Sequence, residues 1–259
     1  MISLKTRLSL AASISIAIWM PAPAIAFTAP LPEGVEAQKV AVTGAYSKLE
    51  GTVLPELPLS MIEAGSNRCL ALEKRPLVVT GPQSALSKVT TDIYFLTDRT
   101  AAYRTDYHLI TKKGDPCAMS IEPRQTARIT TFDGRRTERI TMDLTARTGK
   151  RSTVDGRSPL LSYGPAIDQA GPIAKAPTIG KTMIAYRSCE IKVIKDKAGT
   201  TELCLLSDLT LDSSLLGIPL KVVRTSTKGN PITRTEATEF RDNVLIDLGV
   251  FDVPKDIKF

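Results

Sequence analysis

From about residue 68 the chain breaks into short apolar runs separated by turn residues. Cys69–Leu72, Leu77–Thr80, Asp92–Thr97, Ala102–Ile110, Ala118–Ile121, Thr126–Phe132 and Glu138–Thr145 form a first series. Met183–Tyr186, Glu190–Ile194, Glu202–Leu206, Leu220–Thr225, Thr233–Phe240 and Val244–Leu248 form a second. Many are rich in Thr, Val, Ile and Tyr, and several alternate apolar with polar positions, which is the signature of half-buried strands. The pattern predicts a mainly β fold, a curved antiparallel sheet or incomplete β-barrel. One or two short helices are expected at Gln83–Lys88 and Asp208–Leu216, and another at Val35–Lys48, where Thr43-Gly44 weakens it. Residues 146–182 hold four prolines and five glycines without any period and read as a long excursion.

One hairpin fixes its own register. Asp133-Gly134-Arg135-Arg136 fits a four-residue loop. Ile129 then faces Ile140 and Ala127 faces Met142, while Arg128, Thr130, Arg139 and Thr141 share the other side. A slip of one residue would mix the two faces.

The start of the chain has a different pattern. A short basic stretch (Lys5, Arg7) precedes an apolar run from Leu8 to Met20, and Ala24-Ile25-Ala26 supplies a small-x-small cleavage site. That order predicts a signal peptide over 1–26, because the apolar run is too short to span a bilayer. The residue after the cut is Phe27, not Cys, so no lipid anchor is expected there. The expected organisation is a leader (1–26), an extended or partly helical segment (27–58) and a single β domain (59–259) in the periplasm or outside the cell. No later run is long enough for a transmembrane segment.

Export changes how the cysteines are read. Cys69, Cys117, Cys189 and Cys204 are even in number and contain no C-x-x-C, which favours two disulfides over a metal or redox site. Four cysteines allow three pairings. A hairpin with its loop at 195–198 would set Cys189 opposite Cys204, leaving Cys69 for Cys117.

Charge adds one feature. The chain carries a formal +7, and the leader accounts for Lys5 and Arg7. Between Arg124 and Arg157 stand nine Lys or Arg and four acids, so the rest of the exported chain is balanced. Arg128, Arg135, Arg136 and Arg139 are the candidate patch for an anionic partner or head group. The competing explanation is a solvated sheet face whose charges prevent edge pairing. Nucleic acid is disfavoured, because six Tyr and six Phe are scattered rather than set as stacking platforms among the cations.

Catalytic signatures are absent: there is no H-E-x-x-H, G-x-S-x-G or phosphate loop. His108 is the sole histidine and shares a strand face with Asp106, with no identifiable nucleophile. Asp133-Gly134 and Asp155-Gly156 read as turns rather than calcium loops. No enzyme, metal or cofactor is expected.

Residues 180–259 resemble a known family. Gly180 to Cys189, Gly217-Ile218-Pro219-Leu220, Lys228-Gly229-Asn230, Glu236 to Phe240 and Phe251-Asp252-Val253-Pro254 are similar in order to the end of LolA/LolB-like periplasmic proteins. The resemblance implies an incomplete barrel whose curved sheet covers an apolar cavity under helical lids. It also implies a binding or chaperone-like role toward lipid, acyl chains, a hydrophobic peptide or an envelope protein.

Overall fold

The computed structural model describes residues 27–54, 56–156, 173, 175–208 and 217–259. Twelve strands join in one open curved sheet: β1 (Ala41–Val53), β2 (Val78–Thr80), β3 (Lys88–Phe95), β4 (Arg99–Thr111), β5 (Ala118–Phe132), β6 (Arg136–Asp143), β7 (Thr148–Asp155), β8 (Thr178–Ile184), β9 (Arg187–Asp196), β10 (Gly199–Leu206), β11 (Pro219–Ser226) and β12 (Pro231–Asp247). Their order across the sheet is β7-β6-β5-β4-β3-β1-β12-β11-β10-β9-β8, antiparallel throughout, and β2 adds in parallel to β5. One α-helix, α1 (Glu56–Arg68), follows β1. The expected mainly β, curved antiparallel architecture is therefore present. The leader and residues 209–216 of the second expected helix lie outside the described residues.

The centre of the sheet holds the largest departure from the sequence reading. Residues 41–53, part of which the sequence pattern assigns to a helix, form β1, paired to β12 on one side and β3 on the other. Its side chains alternate: Ala45, Ser47 and Leu49 are buried on one face and Tyr46 on the other. Gly51 makes the close approach to β12 possible, since a Cβ there would lie 1.9 Å from the Arg234 carbonyl oxygen.

Other boundaries differ for local reasons. Cys69–Leu72 is not a strand but the start of a π-helical turn, Cys69–Glu73, that continues α1 and stops at Lys74 with φ 56°. Pro58 lies in the first turn of α1, where a missing N–H is harmless. The expected Gln83–Lys88 helix is a 3₁₀ turn, Gln83–Ser87. Ala118–Ile121 and Thr126–Phe132 belong to one strand, β5, running through exposed Pro123. Thr233–Phe240 and Val244–Leu248 likewise merge in β12, where the register against β1 shifts near Asn243 (φ 53°). Part of the expected 146–182 excursion is β7, and Met183–Tyr186 straddles the end of β8 and a turn at Ala185-Tyr186 (φ 49° and 61°).

Both disulfides form, Cys69–Cys117 and Cys189–Cys204. The second is reached by a different register from the expected one. The β9–β10 turn has two residues, Lys197-Ala198, because the Asp196 carboxylate accepts from the Ala198 and Gly199 N–H groups. Cys189 therefore pairs with Leu206 and Cys204 with Ile191. The bond joins diagonal neighbours whose Cα atoms are 5.4 Å apart, inside the range a disulfide tolerates. In contrast, the β5–β6 hairpin has the expected register, with Ile129 opposite Ile140 and Ala127 opposite Met142.

The two faces of the sheet bury different cores. The outer face carries Tyr46, Tyr94, Tyr103, Ile129, Met142 and Ile246, covered by the chain segments before β1 and after β12 through Ala29, Val250, Phe251 and Ile257. Tyr94 donates to the Pro30 carbonyl (2.7 Å), Tyr103 to the Val250 carbonyl (2.8 Å) and Tyr46 to Asp92 (2.6 Å). Burial lifts all three phenols far above the usual tyrosine range, so they stay protonated as donors. The inner face carries Leu49, Ile93, Phe95, Leu206, Leu220 and Phe240. Ile184 at the end of β8 packs in that same cluster, four strands from Phe240, so the sheet curls toward this side. Arg187 closes the curl by donating to Asp242 (2.6 Å) of β12.

Burial also raises the Asp92 carboxyl above its ordinary value, against the opposing Tyr46 bond and the nearby Lys48. A carboxyl raised on folding binds more protons in the native state, so stability grows as pH falls from the raised value toward 3.8. Asp92→Asn keeps an acceptor for Tyr46 and removes the buried charge. It is expected to melt higher than wild type at pH 7, with the gap closing below about pH 4, where both states protonate. Melting curves across pH 3–8 check this, and an unchanging gap would refute it.

Candidate functional site

The inner face changes character across β4. From β3 to β12 it is largely apolar apart from Ser47 and Thr91, and beyond Ala102 the rows that cross β5, β6 and β7 are polar until Phe132 and Val154 near the β5–β6 turn. One row runs Ala102, Arg128, Thr141, Lys150. The next row toward the β5–β6 turn is Thr100, Thr130, Arg139, Ser152, and on the other side comes Arg104, Thr126, Asp143, Thr148. Beyond these, Asp106 opposes Arg124 and His108 opposes Glu122. Strand alternation produces this surface: the residues between them, such as Tyr103, Ala127, Ile129 and Met142, are buried in the outer core. The face holds five cations (Arg104, Arg124, Arg128, Arg139, Lys150) against three acids (Asp106, Glu122, Asp143).

The sequence-derived patch is thus split. Arg128 and Arg139 are diagonal neighbours on the inner face, half-buried. Arg135 and Arg136 sit at the exposed β5–β6 turn, and Arg136 lies 3.6 Å from Asp155. Arg104 escapes the sequence reading because it precedes the basic stretch. The period-two spacing of Arg104, Asp106 and His108 is the available signal.

At one end of the face the charges are locally fixed. Asp106 accepts from Arg104 Nε (3.2 Å) and contacts His108 Nε2 (2.9 Å). Arg124 donates from Nε (2.9 Å) and Nη2 (2.6 Å) to Asp143. Partial burial would raise the Asp143 carboxyl, but the Ala146 and Thr145 N–H groups and Arg124 outweigh it and hold the carboxyl below the usual range. His108, Glu122, Arg124, Asp143 and Thr145 line a shallow cleft of about 330 Å³. Asp106 can orient His108, yet the nearest hydroxyl on the opposing strand, Ser120, donates to Glu122 (2.6 Å) rather than to the imidazole. What the arrangement offers chemically is rigidly spaced guanidinium groups and hydroxyls able to bind an extended anion. Among the described residues, no cluster of His, Cys, Asp and Glu is arranged to hold a metal, and no helix is long and apolar enough to cross a membrane.

The segments behind the family resemblance fall on β8 and the start of β9, the approach to β11 and β11 itself, the β11–β12 turn, β12 and the 3₁₀ turn Leu248–Phe251 with the residues after it. No family model matches the chain, and no curated protein matches it. Among solved structures it is similar to an uncharacterized conserved protein from Thermus thermophilus, at 13% identity over 83% of this chain and 88% of that one, with a TM-score of 0.39. It is similar to PNGF-II at 14% identity over 81% of this chain and 30% of that one, with a TM-score of 0.40. It is also similar to a chain of the Pseudomonas aeruginosa MucA/MucB complex, at 10% identity over 83% of this chain and 57% of that one, with a TM-score of 0.32. The chain therefore spans under a third of PNGF-II and little more than half of the chain matched in the MucA/MucB complex. None of these likenesses assigns it to a family.

Proposed function

We propose that the protein is an exported, non-enzymatic binding module that docks an acidic polypeptide segment on the inner face of β4 to β7. The observation that carries this reading is the set of rows in which Arg104, Arg128, Arg139 and Lys150 project from neighbouring strands among threonines. Each of these groups is a diagonal neighbour of the next across adjacent strands, with Cβ atoms about 7–8 Å apart, so the sheet fixes their spacing before a ligand arrives. Charge-assisted bonds to carboxylates then give both strength and register. The two disulfides fit an oxidising compartment, as the leader-like start does.

An acyl-chain or lipid ligand, which the family resemblance implies, would need apolar walls. Among the described residues, such side chains on this face gather from β3 through β1 and β12 to β8, where Ile93, Leu49, Phe240, Leu220 and Leu206 are buried in one cluster, with Phe132 and Val154 apart at the far end of β5 and β7. The polar rows favour a peptide carboxylate partner over a hydrocarbon.

The test is titration of a fluorescein-labelled, Asp/Glu-rich peptide at low and high salt. Reversal of the inner pair (Arg128→Glu with Arg139→Glu) is expected to weaken binding at least tenfold, about 1.4 kcal/mol. Reversal of the turn pair (Arg135→Glu with Arg136→Glu) is expected to have under half that free-energy effect. Binding by wild type should weaken as salt rises. Equal loss from the two pairs, or none from either, would place the docking surface elsewhere.

A further inference from the structure

The geometry points to a second, separate surface: the corner fastened by Cys69–Cys117 is a contact site for an anionic lipid bilayer. Three connections bring residues 68–78 beside 110–118. These are the disulfide itself, the Val78 N–H donating to the Cys117 carbonyl (2.8 Å), and Arg75 paired with Asp115. The π-helical turn places Leu70 and Leu72 outward, 55% and 68% exposed, and Val78 is exposed at the same corner.

Charge selects the occupant. These two stretches carry Arg68, Lys74, Arg75, Lys112 and Lys113 against Glu73 and Asp115. Arg75 and Asp115 pair with each other, the Cys117 N–H helping to hold that carboxyl below its usual range, which leaves Arg68, Lys74, Lys112 and Lys113 against Glu73. Lys74 tips back to donate to the Ala71 carbonyl (2.9 Å), beside the leucines. Lys112 and Lys113 lead into the tight β4–β5 turn and are exposed. Protruding leucines ringed by lysines match an interface where acyl chains lie beneath anionic head groups. A purely apolar protein contact would instead leave these ammonium groups without water or counter-charge. The corner is distinct from the inner face of β4 to β7, so a bilayer would leave the proposed peptide surface open.

The experiment is flotation of the purified protein with phosphatidylcholine vesicles containing about 30% phosphatidylglycerol, against pure phosphatidylcholine vesicles. Wild type is expected to float with the anionic vesicles only, and to be released at high salt. Leu70→Asp with Leu72→Asp, and separately Lys112→Glu with Lys113→Glu, should each cut the floated fraction at least fivefold while leaving the acidic-peptide titration unchanged. A Leu72→Trp chain gives an independent reading, since its emission, compared with wild type, should shift to shorter wavelength with anionic vesicles. Wild type that stays at the bottom, floats equally on neutral vesicles, or is matched by both charge and leucine variants overturns the proposal. So does a Leu72→Trp emission that does not move.

Discussion

Removal of the Cys69–Cys117 bond by double alanine substitution is expected to cost about 4 kcal/mol of stability. The two residues are 48 positions apart. Cross-linking a loop of that length removes about this much chain entropy from the unfolded state. For a chain of this size the melting temperature should fall on the order of 10 °C. The bond joins the end of α1 and its π-helical turn to the start of β5, so this corner should open first. Hydrogen exchange is expected to show early loss of protection at 56–73 before the sheet itself melts. The Cys189–Cys204 bond closes only 15 positions within a hairpin and should be worth about 3 kcal/mol. Calorimetry of the two double variants ranks them, and a Cys69/Cys117 variant melting within about 2 °C of wild type would contradict the entropy argument.

The second large effect concerns the curl of the sheet. Phe240→Ala is expected to destabilise by about 4 kcal/mol, because it leaves a cavity where Ile184, Leu206, Leu220 and Ile93 converge. Phe240 is the point at which β8 and the centre of the sheet meet, and the Arg187 guanidinium lies 5.8 Å from its ring. Loss of the ring should therefore loosen β8 and β9 more than β4 to β7. Chemical denaturation gives the size of the effect, and exchange protection at 178–196 gives its location. A Phe240→Leu variant should recover most of the loss, since it refills much of the volume.

Much of the sheet is legible because its strands obey a two-residue period. Ile129 can be placed against Ile140 from sequence, since only one register keeps arginines out of the core. The same reasoning puts Arg128 and Arg139 on one face. It cannot say which distant strands join that face, so the contribution of Arg104 stays hidden. The β9–β10 hairpin misleads through its turn: four charged or small residues suggest a loop, but the Asp196 carboxylate tightens the chain at Lys197-Ala198. β1 is illegible for a different reason. One of its faces carries Ala45, Ser47, Leu49 and Gly51, too small and polar to announce an apolar strand, the other joins Tyr46 to the ion pair Lys48–Glu50 (2.9 Å), and its glycines make sense only once β12 lies alongside. Likewise α1 has little amphipathic pattern, and its exposed Leu59 and Met61 give no apolar stripe to follow.

The pairing of β1 with β12 carries a consequence for how the molecule comes into being. The Ser47 hydroxyl and the Glu239 carbonyl it reaches are 192 positions apart. A growing polypeptide released from a ribosome or threading a translocation pore holds its first long strand with one edge unsatisfied until Pro231–Asp247 emerges. Closure of the sheet is thus deferred until β12 is available, and that step is a slow, long-range one of the kind that topology imposes. Truncation after residue 230 should yield not a smaller folded protein but an aggregating one, its central seam bare.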